Sequence, residues 1–70
     1  MKIAVITGGS SGIGFETVNE LIKKGYKVYN LDLKESENKD VISIICDVTK
    51  EKQIKKAIEE IPYINVLVNC

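Results

Sequence analysis

Ile3-Ala4-Val5-Ile6-Thr7-Gly8-Gly9-Ser10-Ser11-Gly12-Ile13-Gly14 runs a β-branched apolar stretch straight into a glycine-rich bend. An amphipathic stretch follows, so strand, bend and helix stand in the order that aims a helix N-terminus beyond the strand's end. Unpaired backbone N–H groups and the positive end of the helix dipole make that position attractive to a phosphate. The glycines have separate tasks: one lets the chain leave the strand sharply, and the others keep side chains away from the phosphates and from the neighbouring strand. A lysine-dependent phosphate loop is excluded, because Gly-x-x-x-x-Gly-Lys-Ser/Thr needs a lysine and none stands between Lys2 and Lys23. A nucleotide kinase or a GTPase is therefore disfavoured. A tight strand-to-helix turn with no ligand uses the same glycines, so the context decides.

Outward from the bend, Lys2 to Thr7 reads as a first strand, apolar throughout and so covered on both faces, as strands of a parallel sheet are. Ile13 to Lys24 reads as a helix with Val18, Leu21 and Ile22 on one stripe; Lys23-Lys24-Gly25-Tyr26 closes it, with glycine where a left-handed cap is wanted. Tyr26 to Leu33 is a second strand whose alternation suggests one wetter face. Lys34 to Asp40 is polar loop, and Val41 to Cys46 is a third, strongly β-branched strand closed by Asp47. Thr49 reads as a helix cap, and Ile54, Ala57, Ile58 and Ile61 recur at helical spacing until Pro62. Val66 to Asn69 begins a fourth strand. The second connection, about seven residues, is short for a parallel crossover. Fully extended, at roughly 3.3 Å per residue, it still reaches back along a short strand, so a crossover without a helix is expected and an antiparallel third strand is the alternative.

Composition narrows the class. Seventy residues allow one small domain with a thin core, which buries only about 60% of the surface its unfolded chain exposes. Two cysteines and no histidine leave too few soft ligands for a four-ligand zinc site, so no metal is expected; reduced thiols suit a cytoplasmic protein. Ten basic and ten acidic residues give no electrostatic case for nucleic acid or anionic lipid. The four apolar residues before Thr7 are too few for a signal peptide, and no apolar run approaches the roughly 18 residues that cross a bilayer. The lysines from Lys50 to Lys56 are offset by Glu51, Glu59 and Glu60 and read as a solvated helix face. Gly9-Ser10-Ser11-Gly12 lacks the basic surroundings of an RNA-binding Gly-x-x-Gly loop.

Strand, glycine bend, helix and strand, with an acidic residue ending the second strand, form a dinucleotide fingerprint; Asp32 lies 24 positions after Gly8. A carboxylate there accepts hydrogen bonds from both ribose hydroxyls of an adenosine and repels a 2′-phosphate, which favours NAD over NADP. At these residues the chain resembles the classical short-chain dehydrogenase/reductase family, over essentially all of its length. The family's Thr-Gly-x-x-x-Gly-x-Gly is matched by Thr7, Gly8, Gly12, Ile13 and Gly14, with Ser10 and Ser11 inside the bend. Asp47-Val48 stands where family members carry Asp-Val, the aspartate bonding the adenine amino group. Val66-Leu67-Val68-Asn69 matches the phrase leading into the family's Asn-Asn-Ala-Gly up to its first asparagine, and Cys70 replaces the second. Position 11 holds serine where NADP-preferring relatives often place a basic residue. The resemblance thus implies cofactor-binding roles for Thr7, Gly8, Ser10, Ser11, Gly12, Ile13, Gly14, Asp32, Asp47, Val48 and Asn69, and NAD as cofactor.

The family's catalytic serine and Tyr-x-x-x-Lys have no counterpart here. Four places after Tyr26, Tyr29 and Tyr63 stand Asn30, Leu33 and Leu67, so no tyrosine has the helical lysine neighbour that lowers its pKa. No catalytic residue is assigned. The expected architecture is a Rossmann-like open parallel sheet in order 3-2-1-4, a truncated three-layer α/β/α arrangement with one helix on each face, because right-handed crossovers require it. It makes residues 1–70 a partial dinucleotide-binding domain, inactive alone, whose bare fourth strand favours self-association edge to edge. The rival reading is a stand-alone nucleotide-binding or interaction module without oxidoreductase work, and an enzyme completed by a separate chain is a third.

Overall fold

The computed structural model describes all 70 residues, Met1–Cys70. Six elements follow one another: β1 (Ile3–Thr7), α1 (Gly12–Lys23), β2 (Lys27–Asp32), β3 (Ile42–Ile45), α2 (Glu51–Glu59) and β4 (Val66–Asn69). They form one four-stranded sheet in the order β3-β2-β1-β4, parallel throughout, as expected. Thr7 pairs with Leu31 on one side and with Asn69 on the other, and Asp32 pairs with Ile45. All four carboxyl ends therefore finish along one rim of the sheet.

Alternation along β1 sorts its side chains between two cores. Ile3 and Val5 join Tyr29, Leu31 and Cys46 beneath Ala57 and Ile61 of the α2 segment. Ala4 and Ile6 join Val28 and the α1 residue Val18, with Leu21, Ile22 and Tyr26 at the margin. Each helix thus covers its own face, the side that a right-handed connection dictates. β1 is buried along its whole length. Emptying a site such as Ile6, which is 0% exposed, to alanine costs about 2–5 kcal/mol.

The end of α1 follows its sequence. Tyr26 N–H donates to the Leu21 carbonyl at 3.1 Å and Gly25 N–H to the Ile22 carbonyl at 3.0 Å, while Gly25 sits at φ +91°. This pair of bonds is the Schellman closure.

Two expectations need amendment, for β2 and for Thr49, while the expected parallel β3 is met. β2 has no wetter face, since Val28 to Leu31 are all buried; it lies between β1 and β3 with both faces covered, and its mid-strand polar residue, Asn30, is hydrogen-bonded inside through both its oxygen and its nitrogen. β3 is parallel to β2, so the antiparallel alternative is excluded. Residues 33–41 make that crossover without a helix, held by side-chain hydrogen bonds: Ser43 Oγ of β3 accepts from Ser36 N–H, Asn38 Oδ1 accepts from Asp40 N–H, and Asn38 Nδ2 donates to Asn19 Oδ1 of α1 at 2.6 Å. Thr49 does not cap α2. Lys50 occupies the cap position, and the Thr49 hydroxyl donates to Asp47 Oδ1 at 2.6 Å instead.

Candidate functional site

The rim where the strands end is shaped by backbone first. Gly8, at φ +72°, turns the chain out of β1, and its N–H still reaches the Leu31 carbonyl at 3.0 Å. Gly14 is where α1 presses on that turn: a Cβ there would lie 2.2 Å from the Gly8 carbonyl oxygen, so only glycine fits. Gly12, at φ +60°, is the opposite case, with nothing within 4 Å of where its Cβ would stand. Space is kept open above the helix N-terminus while the helix is clamped from below.

That N-terminus offers unused donors. No protein acceptor reaches the amides of Gly12, Ile13 or Gly14, Ser11 makes no side-chain cap, and no acidic residue stands in the first turn. Three N–H groups, the helix dipole and an open approach meet the requirements of a diphosphate, so the residues present fit the dinucleotide expected from the sequence. The Ile13 side chain is 80% exposed at this mouth.

Asp32, at the end of β2, faces the bend. Its Oδ2 accepts from Ser10 N–H at 3.1 Å and its Oδ1 from Leu33 N–H at 2.7 Å. Burial pushes the carboxyl up, but hydrogen bonds from the backbone at Ser10, Leu33 and Lys34 outweigh it and hold the group below the usual carboxylate range. An ionised, oriented carboxylate therefore sits one strand over from the free amides.

Asp47 follows β3 on the same rim. Cys46 N–H donates to the Asp32 carbonyl, which extends the pairing of β2 and β3 by one step and brings Asp47 alongside. The Thr49 hydroxyl and amide bond its Oδ1 and keep its pKa low, burial raises it slightly, and Lys50 lowers it further. Its own N–H donates to Gln53 Oε1. Val48 is half-buried against the core beneath α2. Burial pushes the neighbouring Cys46 thiol up, and the Asp47 and Asp32 carboxylates add to the shift, so this cysteine stays protonated and inert.

On the other side of β1, Thr7 Oγ1 donates to Asn69 Oδ1 at 2.9 Å, and Cys70 N–H donates to the Thr7 carbonyl at 3.1 Å. Thr7 and Asn69 thereby lock β4 onto β1 at the rim. Of the sequence-derived residues, Thr7, Gly8, Ser10, Ser11, Gly12, Ile13, Gly14, Asp32, Asp47 and Asn69 are all on the rim. Two residues escaped sequence reasoning. Gly9 is buried with its N–H donated to Asn30 Oδ1 at 2.8 Å, and Asn30 Nδ2 donates to Ser10 Oγ at 2.9 Å. Their one signal was a polar residue in the middle of an apolar strand.

The family profile of the short chain dehydrogenases matches residues 2–70. Short-chain dehydrogenase reductase 3a of Arabidopsis thaliana is 43% identical over 67 residues, covering 83% of this chain and 26% of that protein. The ligand-free aldohexose dehydrogenase of Thermoplasma acidophilum superposes with a TM-score of 0.93 at 34% identity, over 99% of this chain and 29% of that one. A short chain dehydrogenase of Leptospira borgpetersenii solved with bound NAD+ aligns with a TM-score of 0.85 at 28% identity, over 99% and 30%. The chain spans about a quarter of the length of the curated relatives it matches. The family uses nicotinamide cofactors. The glycine bend, the strand-end carboxylate, the sheet order and these matches agree, and the chain belongs to the short chain dehydrogenase family.

Proposed function

We propose that these residues are the adenosine-and-diphosphate half of an NAD site. In this reading the amides of Gly12, Ile13 and Gly14 hold the diphosphate and Ser10 and Ser11 border it. Asp32 accepts from the adenosine ribose hydroxyls, Asp47 takes the adenine amino group beside Val48, and Thr7, Gly8 and Asn69 fix the floor between β1 and β4. The observation that carries it is the pairing of three unpartnered helix N-terminal amides with an ionised carboxylate at the next strand end. Asp32 and the non-basic Ser11 favour NAD over NADP, because a 2′-phosphate would bring charge of the same sign to Asp32.

The nicotinamide ring supplies hydride transfer when bound, and the relatives named as dehydrogenases support that activity for the whole protein to which such a half-site belongs. Within residues 1–70 there is no histidine and no tyrosine with lysine four places on, so proton transfer to a carbonyl falls to residues outside this segment. The two free cysteines, Cys46 and Cys70, suit a reducing compartment such as the cytoplasm. The unpaired outer edge of β4, with Leu67 57% exposed, supports self-association of these residues as they stand.

Calorimetric titration tests the cofactor reading. Expected is saturable NAD binding, weaker NADP binding, and a loss of about tenfold or more in affinity for Asp32→Ala, since two charge-assisted hydrogen bonds go with the carboxylate. Absence of binding at millimolar NAD would instead favour the non-catalytic interaction module.

A further inference from the structure

We infer that Asn30 is a positioning residue for the dinucleotide site: its buried carboxamide holds the glycine bend against β2 and ties the diphosphate amides to the ribose carboxylate. The inference rests on the cofactor reading above for its ligand, but its geometry stands independently.

Asn30 is 0% exposed and sits in the register of β2 opposite Ile6 of β1. On its face of the sheet Ile6 stands opposite it, Val28 beside it and Val18 above, and Ser43 of β3 is the one polar neighbour in register. A carboxamide in such surroundings costs free energy unless both of its ends are satisfied. Here Oδ1 accepts from Gly9 N–H at 2.8 Å and Nδ2 donates to Ser10 Oγ at 2.9 Å. Both partners lie in the bend, about twenty positions earlier in the chain.

Ser10 passes the constraint on. Its hydroxyl, having accepted from Asn30, donates to the Lys34 carbonyl at 2.6 Å, and its N–H donates to Asp32 Oδ2 at 3.1 Å. One continuous path therefore runs from Gly9 through Asn30 and Ser10 to Asp32. Gly9 belongs to the same device, because a Cβ on it would stand 2.5 Å from Asn30 Oδ1 and 2.9 Å from Val18 Cγ2. The bend has no side chain at position 9 because Asn30 occupies that space.

The residue type is determined by this task. Leucine would fill the volume and leave the Gly9 amide buried without an acceptor. Aspartate would supply the acceptor but bring a fully buried negative charge two residues from the Asp32 carboxylate. Only a short neutral side chain carrying both donor and acceptor serves both partners.

Amide hydrogen exchange and NAD titration on the 70-residue chain test the idea together. In the wild type, the Gly9 amide and the Asn30 side-chain amide are expected to exchange as slowly as the core amides of Val5 and Tyr29; exchange as fast as that of Ser11 would overturn the inference without any variant. In Asn30→Leu, the Gly9 and Ser10 amides should lose protection by about tenfold or more while those of Val5 and Val28 keep theirs, and the dissociation constant for NAD should rise by about tenfold. Unchanged Gly9 protection, or an NAD affinity within about twofold of the wild type, refutes it. Failure of the wild type to bind NAD defeats the cofactor reading alone, since the exchange pattern still decides whether Asn30 holds the bend. If Asn30→Leu does not fold, Asn30→Ala, which removes both the acceptor and the donor, is measured in the same way with the same expected direction.

Discussion

At the scale of single residues the bend separates two uses of glycine that look alike in sequence. Gly14 is required by contact and Gly12 by open space. Gly14→Ala would drive a methyl group into the Gly8 carbonyl at 2.2 Å, backbone against backbone, and should cost on the order of 3 kcal/mol of stability. Gly12→Ala meets nothing and suffers only its φ of +60°, about 1 kcal/mol, yet its methyl group would stand where a diphosphate approaches. Chemical denaturation and NAD titration on the two variants should therefore dissociate: the first loses the fold before affinity can be read, and the second stays folded and loses binding. Equal stability losses would contradict the geometry. Thr7, Gly8, Gly12, Gly14 and Asp32 were legible because their demands are local or set by a fixed offset along strand, helix and strand. Gly9 and Asn30 were not, because the asparagine's partners lie 20 and 21 positions away and only the sheet brings them together. The isolated polar letter between Tyr29 and Leu31 was the available clue, and alternation made it read as a wet face.

At the scale of elements, periodicity and capping chemistry were enough wherever an element is stabilised by its own neighbours. The ends of α1 and of β4 fell where the glycine and the apolar runs placed them. The crossover between β2 and β3 followed a different logic: its turns are built from Ser36, Asn38 and Ser43 side chains, and Asn38 is anchored on Asn19 of α1, a contact no local pattern announces. Thr49 failed as a cap because Asp47 takes both its amide and its hydroxyl, tightening the turn that precedes α2. The α1 closure gives the cleanest test at this scale. Gly25 stands at φ +91° with nothing within 4 Å of a would-be Cβ, so Gly25→Ala measures backbone strain alone. It should lower the free energy of unfolding by about 1 kcal/mol, and Gly25→Asn by less, because asparagine tolerates the left-handed region better. Urea midpoints read both; an alanine as stable as the wild type would mean that the Schellman bonds from Gly25 and Tyr26 contribute little.

For the whole molecule, the balance between buried and bare surface sets behaviour. Only 15 of the 70 residues are buried, and three of the large apolar residues left outside stand on the two edge strands. β3 shows Ile42 and Ile45, and β4 shows Leu67, each beside a row of unpaired backbone groups. The two edges differ in what they lean on. Val66 and Val68 pack into the α1 core, so β4 turns Leu67 to the opposite face, where no helix segment covers it. Ile44 of β3 and the adjoining Cys46 pack beneath α2, and Ile45 turns to the opposite face. Thr7 and Asn69 pin β4 flat along β1, which presents a regular, uncharged template, and an edge of that kind pairs with another strand unless a charge or a bulge intervenes. The molar mass of the chain by light scattering should therefore rise with concentration through the micromolar range. Leu67→Lys should return it toward the monomer with little loss of stability, because the side chain it replaces is already more than half exposed. Ile45→Lys distinguishes the edges: if it alone suppresses association, contact runs through β3, and if neither lysine changes the mass profile, the strands are not what the copies share.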